Sequence, residues 1–169
     1  MDYYHLPQEQ NNFCLPACLQ MILDSRGFTY QNQSSLYQEC ETGFLRNGLL
    51  EDFLYQNKYP LHCLDFYVRQ SQLKEFEQLV DKGLKRDCNI LVSVAYEVLM
   101  GCSKELNHTL IITEYDPHCD RIDLIDPAQK EGISCNFSTL MNAIFTVSGA
   151  FHLFHPDLSL LHDLKEKYF

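Results

Sequence analysis

Apolar residues recur at three- and four-residue spacing at Leu15, Leu19, Ile22 and Leu23, the period of one buried helix face. Pro16 falls in the first turn of that helix, where its missing N–H has no partner to lose. Ser25-Arg26-Gly27 ends it, with Gly27 as the stop. Residues 31–40 and 47–56 read as two short packing helices; Asn47 is the expected cap of the second, with Leu50, Phe53 and Leu54 on its inner face. Alternation over 60–67 predicts a strand. Residues 71–85 form a strong amphipathic pattern, with Leu73, Phe76, Leu79, Val80 and Leu84 inward and Lys74 and Glu75 outward. Ser71 is the expected cap.

The pattern changes at residue 88. The run CNILVSVAY (88–96) is continuous and rich in β-branched residues, as in a central strand buried on both faces. A loop, MGCSKELN, leads to two further strands, 108–115 (HTLIITEY) and 121–125 (RIDLI). The turn formers Asp116-Pro117-His118-Cys119-Asp120 between them predict a hairpin. Residues 136–145 read as a helix, 149–154 as a closing strand, and 158–169 as a charged terminal helix or tail. Helices first and antiparallel strands afterwards give an α+β domain. Without repeats, low-complexity tracts or linkers, one domain over 1–169 is expected, with its core at 8–155 and a tail at 156–169.

Composition narrows the function classes. The 169 residues can bury a sizeable core, and 46% hydrophobic with 12% aromatic residues fits a folded chain. A formal net charge of −10 repels phosphates, which argues against nucleic acid or an anionic membrane surface as the main partner. No apolar run approaches bilayer-spanning length, and the start Met1-Asp2-Tyr3-Tyr4-His5 lacks the basic and apolar regions of a secretory signal. Eight cysteines, at 14, 18, 40, 63, 88, 102, 119 and 135, then read as free thiols in a reducing compartment. The expected location is the cytoplasm, or a host cell reached by export without a cleaved signal.

Three residues carry candidate chemistry. Cys14 stands at a helix start, where unpaired backbone N–H groups and the helix dipole favour the nucleophilic thiolate. His108 opens one strand and Asp126 closes the next. If those strands pair across the 116–120 turn, the two become neighbours although 18 positions apart. A base and its orienting carboxylate need that juxtaposition. Acyl transfer also needs a donor to the tetrahedral oxyanion. Gln8, six residues before Cys14, would supply one with the Cys14 N–H; Gln10 competes for the role.

These residues bring out a resemblance. The chain resembles papain-like cysteine peptidases, specifically the branch typified by the bacteriocin-leader (double-glycine) peptidases. Members carry a glutamine, five intervening residues, an Asp-Cys-Gly-like turn and a helix ending Met-Ile-Leu; here the match is Gln8 with NNFCLPACLQMIL at 11–23. HTLIITEYD, IDLIDPA and NFSTLMNAIFTVSGAFHLF match the histidine strand, the strand ending Asp-Pro, and the last helix and strand. The resemblance spans about residues 8 to 155. It implies a papain-like fold, with the nucleophile helix among N-terminal helices packed on an antiparallel sheet. It also implies Cys14 as nucleophile, His108 as base, Asp126 as orienter and Gln8 as oxyanion donor. Phe13 replaces the family's aspartate and Leu15 its glycine, so substrate choice or loss of activity would be decided beside the sulfur.

The expected activity is a thiol hydrolase acting on a peptide, isopeptide or other amide bond, needing no cofactor, with a protein or peptide as substrate. Without the transporter that leader peptidases are commonly fused to, a stand-alone enzyme such as a bacterial effector fits better than leader processing. The alternatives are an acyl or amine transferase on the same fold, and a degenerate papain-like binding module. Plainer readings stand beside each residue. Cys14 and Cys18 could be core thiols, His108 a strand-edge histidine, Asp126 a turn former, and His152 and His155 structural strand-edge residues. A zinc site from Cys14, Cys18 and a histidine lacks a second close-spaced ligand pair, so no metal is expected.

Overall fold

A computed structural model describes residues 3–10, 13–28, 32–40, 48–101, 107–147 and 149–169, with the side chains at 36 and 38–40 left out. Its helices are α1 (Cys14–Ser25), α2 (Gln33–Cys40), α3 (Leu49–Gln56), α4 (Leu73–Lys85), α5 (Tyr96–Met100), α6 (Phe137–Val147) and α7 (Leu158–Tyr168). Its strands are β1 (His62–Tyr67), β2 (Asn89–Ala95), β3 (Asn107–Asp116), β4 (Arg121–Ile125), β5 (Ile133–Asn136) and β6 (Ala150–His155). All six join one sheet in the order β1-β6-β2-β3-β4-β5, every neighbouring pair antiparallel. The fold is α+β, with an antiparallel sheet and the Cys14 helix among the N-terminal helices.

The sheet buries both faces. Leu91, Ile111, Cys63 and Phe154 face Leu19, Ile22 and Leu23 of α1 and Leu50, Phe53 and Leu54 of α3. On the other face Ile90, Val92, Leu110, Ile112, Leu124, Phe151 and Leu153 meet α4, α6 and α7. The continuous apolar run of β2 follows from this, since alternate side chains enter two different cores. Helices therefore cover both sides rather than one. The last helix closes the second side by burying Leu161 and Leu164.

Local expectations meet several corrections. Gly27 ends α1 as expected: φ is +78°, its N–H bonds the Asp24 carbonyl, and the Phe28 N–H bonds the Leu23 carbonyl. The N-cap of α3 is Gly48, in the left-handed region, whereas Asn47 lies outside the described residues. Ser71 does not cap α4; it sits in a 3-10 turn, Gln70–Gln72, and Gln72 takes the cap position. Leu73 then lies outside the amphipathic face and is exposed. Tyr96, expected to end a strand, and Met100, expected to open a loop, instead bound the short helix α5. The edge strand β5 has no apolar run to signal it; its burial alternates between half-buried and exposed.

The closing strand does not lie at an edge. β6 enters between β1 and β2, pairing Phe151 with Phe66 on one side and Val92 on the other. Its entry depends on Gly149, whose φ is +68° and whose missing Cβ would stand 2.7 Å from the Val68 carbonyl oxygen. The same glycine's carbonyl accepts from the Val68 N–H at 2.9 Å. A Gly149→Ala substitution should lower stability by about 1–3 kcal/mol, combining a disfavoured backbone angle with that clash. Urea unfolding monitored by circular dichroism would measure it, and an unchanged midpoint would refute this account of the turn.

Candidate active site

The β3–β4 hairpin brings His108 and Asp126 together. Ile111 pairs with Ile125, and a bulge between Ile112 and Glu114 corrects the register of the hairpin. His108 Nε2 lies 2.7 Å from Asp126 Oδ1. Asp126 is fully buried, yet each oxygen has a partner. Oδ1 also accepts the Ala128 N–H at 2.7 Å, and Oδ2 accepts the Tyr96 hydroxyl at 2.7 Å. Burial alone would raise the carboxyl pKa, but the hydrogen bonds from His108 and Tyr96 bring it below the ordinary value. An ionised Asp126 requires Nε2 to carry the proton, which leaves Nδ1 as the free base of the ring.

Helix α1 carries the thiol to that base. Cys18, one turn further along, donates to the Thr109 carbonyl oxygen at 3.3 Å, fastening α1 beside the residue after His108. Burial raises the Cys18 thiol well above its usual pKa, so it packs as a neutral thiol. Cys14 is only half-buried. Burial would raise its pKa too, but the hydrogen bond and charge of His108, then the Thr109 hydroxyl and N–H, lower it below the ordinary thiol value. His108 moves reciprocally. Burial would lower its pKa, while Asp126 and then Cys14 push it up to about 9. The pair thus favours thiolate with imidazolium, the reactive form of such a couple.

The residues flanking Cys14 are occupied elsewhere. Phe13 is buried and stacks on Tyr37 of α2, with ring centroids 4.7 Å apart. Leu15 is partly buried against the α1–α3 core. The N-cap residue of α1, Phe13, makes no side-chain cap hydrogen bond to the N–H groups of the first turn.

The segment before α1 runs past the same centre. The Gln8 N–H donates to the Pro127 carbonyl at 2.9 Å, and the His5 ring Nε2 lies 3.1 Å from the Asp126 carbonyl oxygen. Gln8 Oε1 is buried with no hydrogen-bond partner among the described residues. Gln10 is exposed, while Asn11 and Asn12 fall outside the described residues.

Sequence reasoning passed over Gln33, which clamps this segment. It is buried on α2, its Nε2 donating to the Pro7 carbonyl and its Oε1 accepting from the Glu9 N–H, both at 2.9 Å. The two bonds bracket Gln8. Tyr96 was also missed: its hydroxyl holds Asp126 and accepts from the Gln129 amide, while its ring packs edge-on against His108 at 4.9 Å. A glutamine in a helical run, or a tyrosine closing a strand run, gives no local signal for either role.

With this geometry in view, comparison with known proteins is specific. The model of the Peptidase C39 like family matches residues 1–143. The chain belongs to that family. Two solved structures share its fold. One is the peptidase domain of Streptococcus ComA, described as a bi-functional ABC transporter involved in quorum sensing. It is 16% identical with a TM-score of 0.64, and the match covers 92% of this chain and 100% of that one. The other is a protein from Bacillus anthracis described as a C39-like peptidase, 13% identical with a TM-score of 0.68, over 91% of this chain and 94% of that one. No curated protein matches.

Among the six thiols described as free, Cys14 combines partial exposure with a lowered pKa, while Cys18, Cys63, Cys88, Cys119 and Cys135 are all raised. Iodoacetamide at neutral pH should therefore alkylate Cys14 first, as read by peptide mass spectrometry. In His108→Ala its rate should fall by about tenfold for each pKa unit the thiol recovers. The pH profile should shift upward, because a depressed thiol pKa keeps the thiolate populated to lower pH. Equal labelling of all the cysteines would overturn this ordering.

Proposed function

We propose that this member of the family is a cysteine peptidase-type hydrolase acting on a peptide, isopeptide or related amide bond. The observation that carries the reading is the Cys14–His108–Asp126 relay. Its base is held at one nitrogen by a buried carboxylate, and its thiol is the one depressed in pKa. In this reading the Cys14 thiolate attacks the carbonyl carbon. The developing oxyanion accepts from the Cys14 N–H at the helix start and from the Gln8 side-chain amide. His108, as imidazolium, gives its proton to the departing amine, leaving a thioester on Cys14. It then takes a proton from the water that hydrolyses the thioester. Asp126 fixes the ring through Nε2 at both stages.

Gln8 suits the donor role better than Gln10. Its backbone is tied to Pro127, next to the orienting Asp126, and is bracketed by Gln33, while Gln10 faces solvent. A peptide substrate is supported by the family and by the description of the ComA neighbour as a peptidase domain. Catalysis by a free thiol suits a reducing compartment. We place the enzyme in the cytoplasm, or as an effector in a host cell. Among the described residues no helix is long and apolar enough to cross a membrane.

An activated peptidyl ester tests the reading without knowledge of the natural substrate. Intact-mass measurement should show an acyl adduct on Cys14 that forms in a burst and decays to free enzyme. Cys14→Ala should form none. An adduct that persists would overturn the hydrolase reading, and decay into an amide only when an amine is supplied would favour the transferase. Gln8→Ala should slow turnover by roughly 10²–10³ while leaving iodoacetamide labelling of Cys14 intact.

Gln33 should act through position alone. Gln33→Ala should lower turnover about 10- to 100-fold, because small displacements of a donor are costly, with thiol labelling unchanged. Gln33→Glu keeps an acceptor for the Glu9 N–H and should fall between the two. Equal loss of turnover and labelling would instead indicate damage to the relay itself.

A further inference from the structure

A second convergence of ligand-type side chains lies on the other arm of the sheet, within the α1–α3 face. Cys63 and Asp65 are two apart on β1 and so share a face; His152 pairs directly with Asp65 across β1 and β6. One donor atom from each of the three lies within 4.8 Å of the others. His152 Nδ1 is 2.6 Å from Asp65 Oδ1, and Cys63 Sγ is 3.8 Å from the same oxygen. The backbone N–H of Gly48, at the start of α3, holds Oδ2 at 2.6 Å. Sequence reasoning took His152 for a strand-edge residue. It is instead 2% exposed in the second strand of the sheet.

Two observations set this cluster apart from an ordinary buried hydrogen-bond hub. All three side chains are withdrawn from solvent: Cys63 and His152 are each 2% exposed and the Asp65 side chain 13%. The local charge is also one-sided. Glu51, in the first turn of α3, accepts from the Cys63 N–H and pairs with His62, while Asp65 pairs with His152. Among the described residues no lysine or arginine is paired with either carboxylate. A thiol, a carboxylate and an imidazole, nearly enclosed, make up a donor set suited to a zinc-type ion.

We propose that Cys63, Asp65 and His152 form a binding site for Zn²⁺ or a similar thiophilic divalent ion, separate from the Cys14 centre. On binding, the Cys63 proton leaves to solvent. One thiolate, one carboxylate and the +2 ion then sum to zero. Ligands of a tetrahedral zinc stand about 3.3–3.8 Å apart, so the 2.6 Å His152–Asp65 contact opens by about 1 Å and the sulfur hardly moves. The fourth position falls to water, reached past Asp65, whose side chain is 13% exposed. The ion would fasten β1 to β6 beside the start of α3.

Because Cys14 and His108 also attract thiophilic metals, the test uses Cys14→Ala protein. Titration with Zn²⁺ alone should show one equivalent bound and a raised melting temperature. Co²⁺ should produce a near-ultraviolet thiolate-to-metal absorption band. Adding Cys63→Ser should remove the band and the thermal shift, and adding Asp65→Asn should weaken both. Circular dichroism without metal checks that each variant is folded. Binding that survives in folded Cys14→Ala/Cys63→Ser protein, or no Zn²⁺ bound by folded Cys14→Ala protein, would overturn the site. Neither outcome bears on the hydrolase reading, which is tested at Cys14.

Discussion

The carboxylate of Asp126 is the constraint on which the site depends. A fully buried charge is tolerable only when its oxygens are satisfied, and here three donors meet them: the His108 ring, the Tyr96 hydroxyl and the Ala128 N–H. Each donor comes from a different part of the chain. The hairpin supplies His108, the start of α5 supplies Tyr96, and the turn after β4 supplies Ala128. Satisfying one carboxylate therefore fixes the mutual position of three segments and sets the protonation of the imidazole.

Cys14 enters this arrangement through packing. Leu19, Ile22 and Leu23 press α1 onto the sheet, and the Cys18 thiol on the Thr109 carbonyl fixes its height along β3. Cys14 then meets the one ring nitrogen that Asp126 leaves free. The segment before the helix is drawn to the same place by Pro127 and Gln33, so hydrogen bonds on both sides hold Gln8 beside the centre. Phe13 and Leu15, which flank Cys14, serve the scaffold: one stacks on α2 and the other joins the core beneath α1.

The opposite arm of the sheet solves a similar problem with a different remainder. Asp65 gathers His152, Cys63 and the Gly48 N–H much as Asp126 gathers its donors. The contrast lies in the imidazole. His108 spends one nitrogen on the carboxylate and meets a half-exposed thiol, whereas His152 is 2% exposed and its Nδ1 is held by Asp65 beside a buried thiol. One arrangement sets its imidazole beside a half-exposed thiol of lowered pKa. The other gathers a thiol, a carboxylate and an imidazole in the interior, the set proposed to hold a cation.

The sequence by itself determined the elements whose periods are strong. The α1 stripe, the α4 stripe from Phe76 to Val80, the doubly buried β2 and the 116–120 hairpin are set by local hydrophobic spacing and turn chemistry. Because a hairpin's partners are close in the chain, the nearness of His108 and Asp126 could be read there as well. Tertiary structure alone decided the insertion of β6 between β1 and β2, the weakly apolar edge strand β5, and the covering of both sheet faces by helices. It also decided the parts played by Gln33, Tyr96 and His152. Those depend on contacts across 26, 30 and 87 residues of chain. A polar side chain carries no periodic mark of a distant partner; the fold must close before its hydrogen bonds exist.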